Sequence, residues 1–181
     1  MALHGAGGDA EEFSPHWQRA TAEGWLVGIP QSSQMIAPGR FGWADQDRAA
    51  QEIRGHYQTI IRECRVDRGR VIMAGFSHGG ATAIWMVLTR LLPARGFLGV
   101  ACAPCDLDKV RAVIRSIPPH EIRGYLVVGA KDYVFDRARL FCETLQSDGV
   151  AARLEVRLDL GHEVSRDFDR SLTAGLEFLR G

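Results

Sequence analysis

The segment VIMAGFSHGG, from Val71 to Gly80, restricts this chain more than any other stretch. A short apolar run ends in Gly75-Phe76-Ser77-His78-Gly79, and a second apolar run, ATAIWMVLTRLL, follows at once. That order predicts a buried strand, a tight turn and a helix packed deep against a sheet. Gly-x-Ser-x-Gly in this setting reads as a nucleophile elbow. The two glycines let the backbone bend without Cβ clashes, and the serine takes a strained conformation at the apex. Its hydroxyl then stands clear of the sheet, with the amide of His78 directed at the same space. The plainer alternative is a glycine-rich βα turn with a surface serine, and the motif alone does not separate the two.

The rest of the chain supplies a matching frame. Met1-Ala2-Leu3 reads as the tail of a strand, and His4-Gly5-Ala6-Gly7-Gly8 as a glycine-rich loop leading to a helix. Such a loop presents backbone N–H groups to an anion. A P-loop would need Gly-Lys-Ser/Thr after the glycines, and the dinucleotide fingerprint would need a third glycine where Ala10 stands. An oxyanion hole fits better, with the amides of Ala6 and His78 as the two donors. Asp9 or Ser14 caps the helix that follows, which is expected to run to about Glu23. Residues 26–30 (LVGIP) read as a short buried strand. Residues 31–43 form a long loop of the kind that carries function in compact domains. In it, Phe41 and Trp43 either line a pocket or cover the edge of the core. Asp45 opens a helix with Ile53, Tyr57, Ile60, Ile61 and Cys64 at helical spacing.

After the elbow, strands are expected at 97–102, 125–129 and 152–158. The last alternates Leu154, Val156 and Leu158 with charged residues, as an edge strand does. Helices are expected at 108–117 (ended by Pro118-Pro119), 135–147 and 165–179. Strands alternating with helices imply a mostly parallel sheet of about six strands with helices on both faces. The 181 residues suit one domain, 1–181.

Composition narrows the partners. Lysine plus arginine equal aspartate plus glutamate at 22 each, and no basic block breaks the balance, so nucleic acid is not an expected partner. No apolar run approaches membrane-spanning length. Cys64, Cys102, Cys105 and Cys142 lack a second ligand pair at zinc spacing. They read as reduced thiols in a cytoplasmic protein, with a local Cys102–Cys105 disulfide the less favoured alternative.

A serine hydroxyl needs a base to take its proton, and the base needs a carboxylate to fix its tautomer. In the order Ser…Asp…His, the histidine comes last. His162 is the only histidine after position 120 and follows the last expected strand. Asp132, after the penultimate strand, is the preferred acid, at the carboxyl edge where α/β sites form. Asp106 competes for that role, and Asp136 is a third choice. His4 is expected to hold the glycine loop by hydrogen bonding. His78 borders the pocket. His16, His56 and His120 read as surface residues. His162-Glu163 does not extend to a zinc-protease motif.

Four segments, LHGAGG at 3–8, GFSHGG at 75–80, GAKDYV at 129–134 and GHE at 161–163, together resemble the α/β-hydrolases of the phospholipase/carboxylesterase group, which includes acyl-protein thioesterases. They occur in that group's order and span nearly the whole chain. The resemblance implies Ser77, Asp132 and His162 as a catalytic triad and the Ala6 and His78 amides as the oxyanion hole. His4, Phe41, Trp43 and Phe76 are the candidates for the substrate pocket, and the resemblance implies no metal or organic cofactor. The expected substrate is a small-to-medium acyl ester, with no lid domain over it. Ester against thioester, hydrolysis against acyl transfer on the same triad, enzyme against a non-catalytic binding module, and monomer against dimer, stay open. Two departures stand out. The group often carries glutamine where His78 stands, and it has strands before the glycine loop, where only three residues remain. Its first strand lies centrally, between the strands expected to end at Pro30 and Gly75, so a stub there would leave backbone groups unpaired.

Overall fold

A computed structural model describes residues 1–116 and 121–180. Five strands form one parallel sheet: β1 (Ala2–Leu3), β4 (Ile72–Phe76), β5 (Gly96–Val100), β6 (Arg123–Gly129) and β7 (Ala151–Arg157), adjacent in that order. The other two, β2 (Gln34–Ala37) and β3 (Arg40–Gly42), pair only with each other in an antiparallel hairpin. That hairpin occupies most of the stretch expected to be a loop.

Helices cover both faces, as the βα alternation requires. On one side lie α3 (Gln46–Glu63), α4 (Ser77–Leu88), α5 (Leu107–Ile114) and α6 (Phe135–Ser147). They bury Ile53, Ile84, Ile114 and Phe141 against Leu3, Met73, Phe97 and Leu126 of the sheet. On the other side, α1 (Ala10–Phe13), a 3-10 turn (Ser14–Trp17), α2 (Gln18–Ala22) and α7 (Phe168–Arg180) bring Phe13, Trp17, Phe168 and Leu172 to Ala74, Leu98, Tyr125 and Val127. The period of two along each strand divides the two cores cleanly.

Local chemistry explains the element starts. Asp9 accepts from the amide of Glu12, Asp45 from that of Arg48 and Asp106 from that of Lys109, and each cap satisfies a donor that the first helical turn leaves free. Helix α4 is buried almost all round, so it reads as an apolar run rather than an amphipathic stripe. Strand β7 is the edge, as its alternation implies.

The N-terminal side differs from expectation. Residues 26–30 are not a strand; they meet β1 through one backbone bond, Ala2 N–H to Gly28 O at 2.9 Å. The sheet therefore has five strands rather than six, and β1 is its other edge. A segment becomes a strand through a ladder of bonds, and the single bond to Ala2 does not make one. The expected end of the 108–117 helix at Pro118-Pro119, and the placement of His120, lie outside the described residues. All four cysteines are free, Cys102 and Cys142 buried, Cys64 and Cys105 exposed.

Candidate active site

The elbow is as tight as its sequence requires. A Cβ on Gly75 would lie 2.6–2.7 Å from backbone atoms of Gly79 and Gly80, and Ser77 sits at φ 51°. A serine in the left-handed region is strained, and the packing of β4 into α4 holds it there. Gly79 is pressed still harder: an added Cβ would lie 2.2 Å from His4 O and 2.4 Å from Leu3 O. That approach seats the first turn of α4 against the end of β1, beside the glycine loop.

Two other loops deliver the partners of Ser77. The turn after β6 is closed by Asp132 N–H to Gly129 O, and Asp132 Oδ1 accepts from the amide of Val134 at 2.9 Å. The loop after β7 is tied to it, because Lys131 N–H donates to Leu160 O at 3.0 Å and Ala130 N–H to Arg157 O at 2.9 Å. Gly129 lets the two backbones touch, since a Cβ there would lie 2.2 Å from Leu160 O. Further along, Arg157 reaches both oxygens of Asp167 at 2.6 Å and fastens the segment carrying His162 to β7.

The result is a relay. Ser77 Oγ lies 2.8 Å from His162 Nε2, and His162 Nδ1 lies 3.0 Å from each oxygen of Asp132. With a carboxylate facing Nδ1, the ring proton belongs on Nδ1, which leaves Nε2 as acceptor for the serine hydroxyl. The Asp132 carboxylate is fully buried, whereas the imidazole keeps about a quarter of its surface. Asp106 is sidelined as the exposed cap of α5, and Asp136 lies in the first turn of α6.

The glycine loop is held by other means. His4 is fully buried, its Nδ1 donating to Gly5 O at 2.9 Å while Nε2 faces the amide of Ser32 at 3.4 Å. Burial pushes its pKa below the ordinary histidine value, against smaller opposing effects of the Gly5 carbonyl and the Asp9 carboxylate. Trp43 Nε1–H donates to His4 O at 2.9 Å. Gly7 N–H donates to Phe41 O at 2.8 Å, and Arg40 donates back to Gly7 O at 2.8 Å. The Ala6 and His78 amides make no hydrogen bond among the described residues. The His78 ring is half-buried beside Gly42, and desolvation lowers its pKa too.

An open cleft of about 420 Å³ runs from the loop 4–9 past Phe76 to His162, with Glu12, His16 and Glu163 on its rim. Of the expected pocket residues, Phe76 borders it, its ring centroid 5.3 Å from that of His162. His4 backs the loop with a buried side chain. Trp43 is not a pocket residue: it is wholly buried in the core, as its bond to His4 O requires. Phe41 is half-buried and acts through its carbonyl, outside the cleft lining. Tyr133 went unassigned in the sequence, although it adjoins Asp132. Its ring lies 4.5 Å from the imidazole and its hydroxyl 3.2 Å from Nε2. A second, apolar cavity of about 90 Å³ lies between Trp17, Val27, Tyr57 and Ile72, and no candidate site residue lines it.

The parallel sheet, the tight turn after β4 and the positions of Asp132 and His162 after β6 and β7 are those of the α/β-hydrolase fold. An uncharacterized protein from Bacillus cereus has the same fold, with TM-score 0.91 and 26% identity over 98% of this chain and 57% of that one. The chain thus spans little more than half the length of that protein. Esterase PE8 is similar at TM-score 0.80 and 19% identity, over 98% of this chain and 90% of its own. Acyl-protein thioesterase 2 from Zea mays is similar at 0.66 and 16%, over 97% of this chain and 92% of its own. No family model and no curated protein matches the sequence. Among the described residues, no helix is long and apolar enough to cross a membrane.

Proposed function

We propose that residues 1–181 form one α/β-hydrolase domain acting as a serine carboxylesterase on small-to-medium acyl esters. The observation that carries this reading is the relay from Ser77 through His162 to buried Asp132, built on a strained elbow. Ser77 Oγ attacks the acyl carbonyl while His162 Nε2 takes its proton. Asp132 holds the imidazole in the required tautomer and balances the charge that develops on it. The Ala6 and His78 amides receive the oxyanion; both are free of partners among the described residues, and the macrodipole at the start of α4 adds to the second. The intermediate collapses as its C–O bond to the alcohol breaks and the leaving oxygen takes the proton from Nε2. Water then attacks the acyl-enzyme by the same route, with His162 as base. The openness of the cleft suits soluble substrates.

Likeness to an esterase and to an acyl-protein thioesterase supports the ester reading and makes a thioester the second substrate to try. A fold used only for binding would have no need of the strain at Ser77. The test is hydrolysis of p-nitrophenyl esters of increasing acyl length, with a fluorophosphonate probe alongside. Turnover and labelling that both vanish in Ser77→Ala establish the activity, and the length profile sizes the acyl site. A folded wild-type protein that neither turns over nor labels overturns the reading.

A further inference from the structure

Tyr133 is three-quarters exposed, yet its hydroxyl lies 3.2 Å from the one ring nitrogen that proton transfer would use. A neutral imidazole with its proton on Nδ1 offers a single lone pair at Nε2. Ser77 Oγ, at 2.8 Å, is the closer donor, so the Tyr133 hydroxyl is the weaker of two claimants. Its backbone is fixed by the Asp132 turn, where the amides of Val134 and Phe135 donate to Asp132. The ring packs on the imidazole at 4.5 Å, and Phe76 flanks the same imidazole at 5.3 Å.

On the esterase reading, the leaving oxygen must come within hydrogen-bond distance of Nε2 to receive its proton. The Tyr133 hydroxyl already sits in that shell. An oxygen that approaches Nε2 from the Tyr133 side comes within reach of the phenol as well. We infer that Tyr133 is the leaving-group residue of this site. Its O–H donates a hydrogen bond to the alcohol oxygen as the acyl C–O bond breaks and that bond's electron pair moves onto the oxygen. The proton that completes the alcohol comes from His162 Nε2, and Tyr133 keeps its own. Its exposed ring, packed on the imidazole, offers apolar surface beside that oxygen, which favours esters with an apolar or aromatic alcohol.

The inference rests on the esterase reading, and one experiment separates their failures. Wild type and Tyr133→Phe are compared by kcat/KM on an ethyl ester and a p-nitrophenyl ester of the same acid. p-Nitrophenoxide leaves as a stable anion and gains little from a donor, whereas ethoxide needs one. The expected result is a fall in the ethyl-to-nitrophenyl ratio by about tenfold or more, the worth of a hydrogen bond to a charged oxygen. An equal loss on both esters means that Tyr133 only orients His162, and overturns the inference. An unchanged ratio with unchanged rates overturns it as well. If wild type hydrolyses neither ester and the fluorophosphonate leaves Ser77 unlabelled, both readings fall together.

Discussion

The two edges of the sheet hold their halves of the site by different physics. At the C-terminal edge, β6 and β7 run in register over seven residues, from Arg123 beside Ala151 to Gly129 beside Arg157. The loops carrying Asp132 and His162 leave the ends of that ladder and are bonded to each other. At the N-terminal edge, β1 meets β4 at only two positions, Ala2 beside Ala74 and Leu3 beside Gly75. The glycine loop leaves this stub and is held instead by His4, Trp43, Arg40 and the carbonyl of Phe41. A ladder spreads its stability over many equivalent bonds, and a cluster concentrates it in a few, here two of them buried. Proton transfer would thus depend on the robust edge, and oxyanion binding on the fragile one.

The largest effect should come from the robust edge without disturbing it. Asp132→Asn keeps the oxygen that accepts from Val134 but removes the carboxylate from His162 Nδ1. Steady-state kinetics should show kcat falling by about 10⁴-fold, with thermal stability close to wild type. Asp106→Asn, a cap replaced by an equally good cap, should leave both alone. Equal losses in the two variants would contradict the assignment of Asp132 as the acid.

Gly79→Ala strikes the fragile edge. The new methyl meets the carbonyls of Leu3 and His4, and β1 has little pairing with which to resist displacement. Thermal denaturation should show a loss of about 1–3 kcal/mol or more, the range for forced overpacking. Activity should fall further than the stability loss accounts for, because the glycine loop moves with β1. If Gly79→Ala stays fully active, the loop does not depend on that seat.

A subtler cut removes a single bond. Trp43→Phe keeps most of the ring volume but leaves His4 O without its buried donor. Urea denaturation should show a loss of about 1–3 kcal/mol. With the loop loosened, kcat should fall more than KM rises, since the oxyanion forms only in the transition state. A change in KM alone would show that the bond serves substrate binding instead.

The smallest effect is a pH dependence. Burial lowers the pKa of His4 in the folded state, so between that value and the ordinary histidine value the unfolded chain binds the extra proton. Stability should be full above about pH 6.5 and decline as pH falls through the window below it. Half-buried His78 contributes in the same direction. Denaturant titrations at pH 7.5 and 5.5 should show a shallower decline in His4→Ala than in wild type. Equal slopes would mean that His4 titrates alike in both states.

Much of the architecture was legible because it depends on neighbours in sequence. The elbow is a property of ten consecutive residues, and its glycines stand where any Cβ would strike backbone. The capping roles of Asp9 and Asp45 follow from one side chain reaching an amide three residues on. The order of nucleophile, acid and histidine, together with the strand ends, picked out three candidates that the fold brings within hydrogen-bond distance.

What the sequence by itself determined was therefore local: turns, caps, the period of each strand, and which loops fall at the carboxyl edge of the sheet. Tertiary structure alone decided the rest. Residues 26–30 have the pattern of a strand yet make a single backbone bond to β1, and pattern carries no record of what a segment pairs with. Trp43 could face a cleft or a core, and it took the core because His4 O needed a donor there. Asp106 and Asp132 follow strands in the same way, yet among the described residues it is the loop after β6 that is bonded to the loop bearing His162. Tyr133 meets Nε2 because that same junction folds two segments 29 residues apart onto each other. Each of these outcomes depends on a distance between residues far apart in the chain, and packing sets such distances where local propensity cannot.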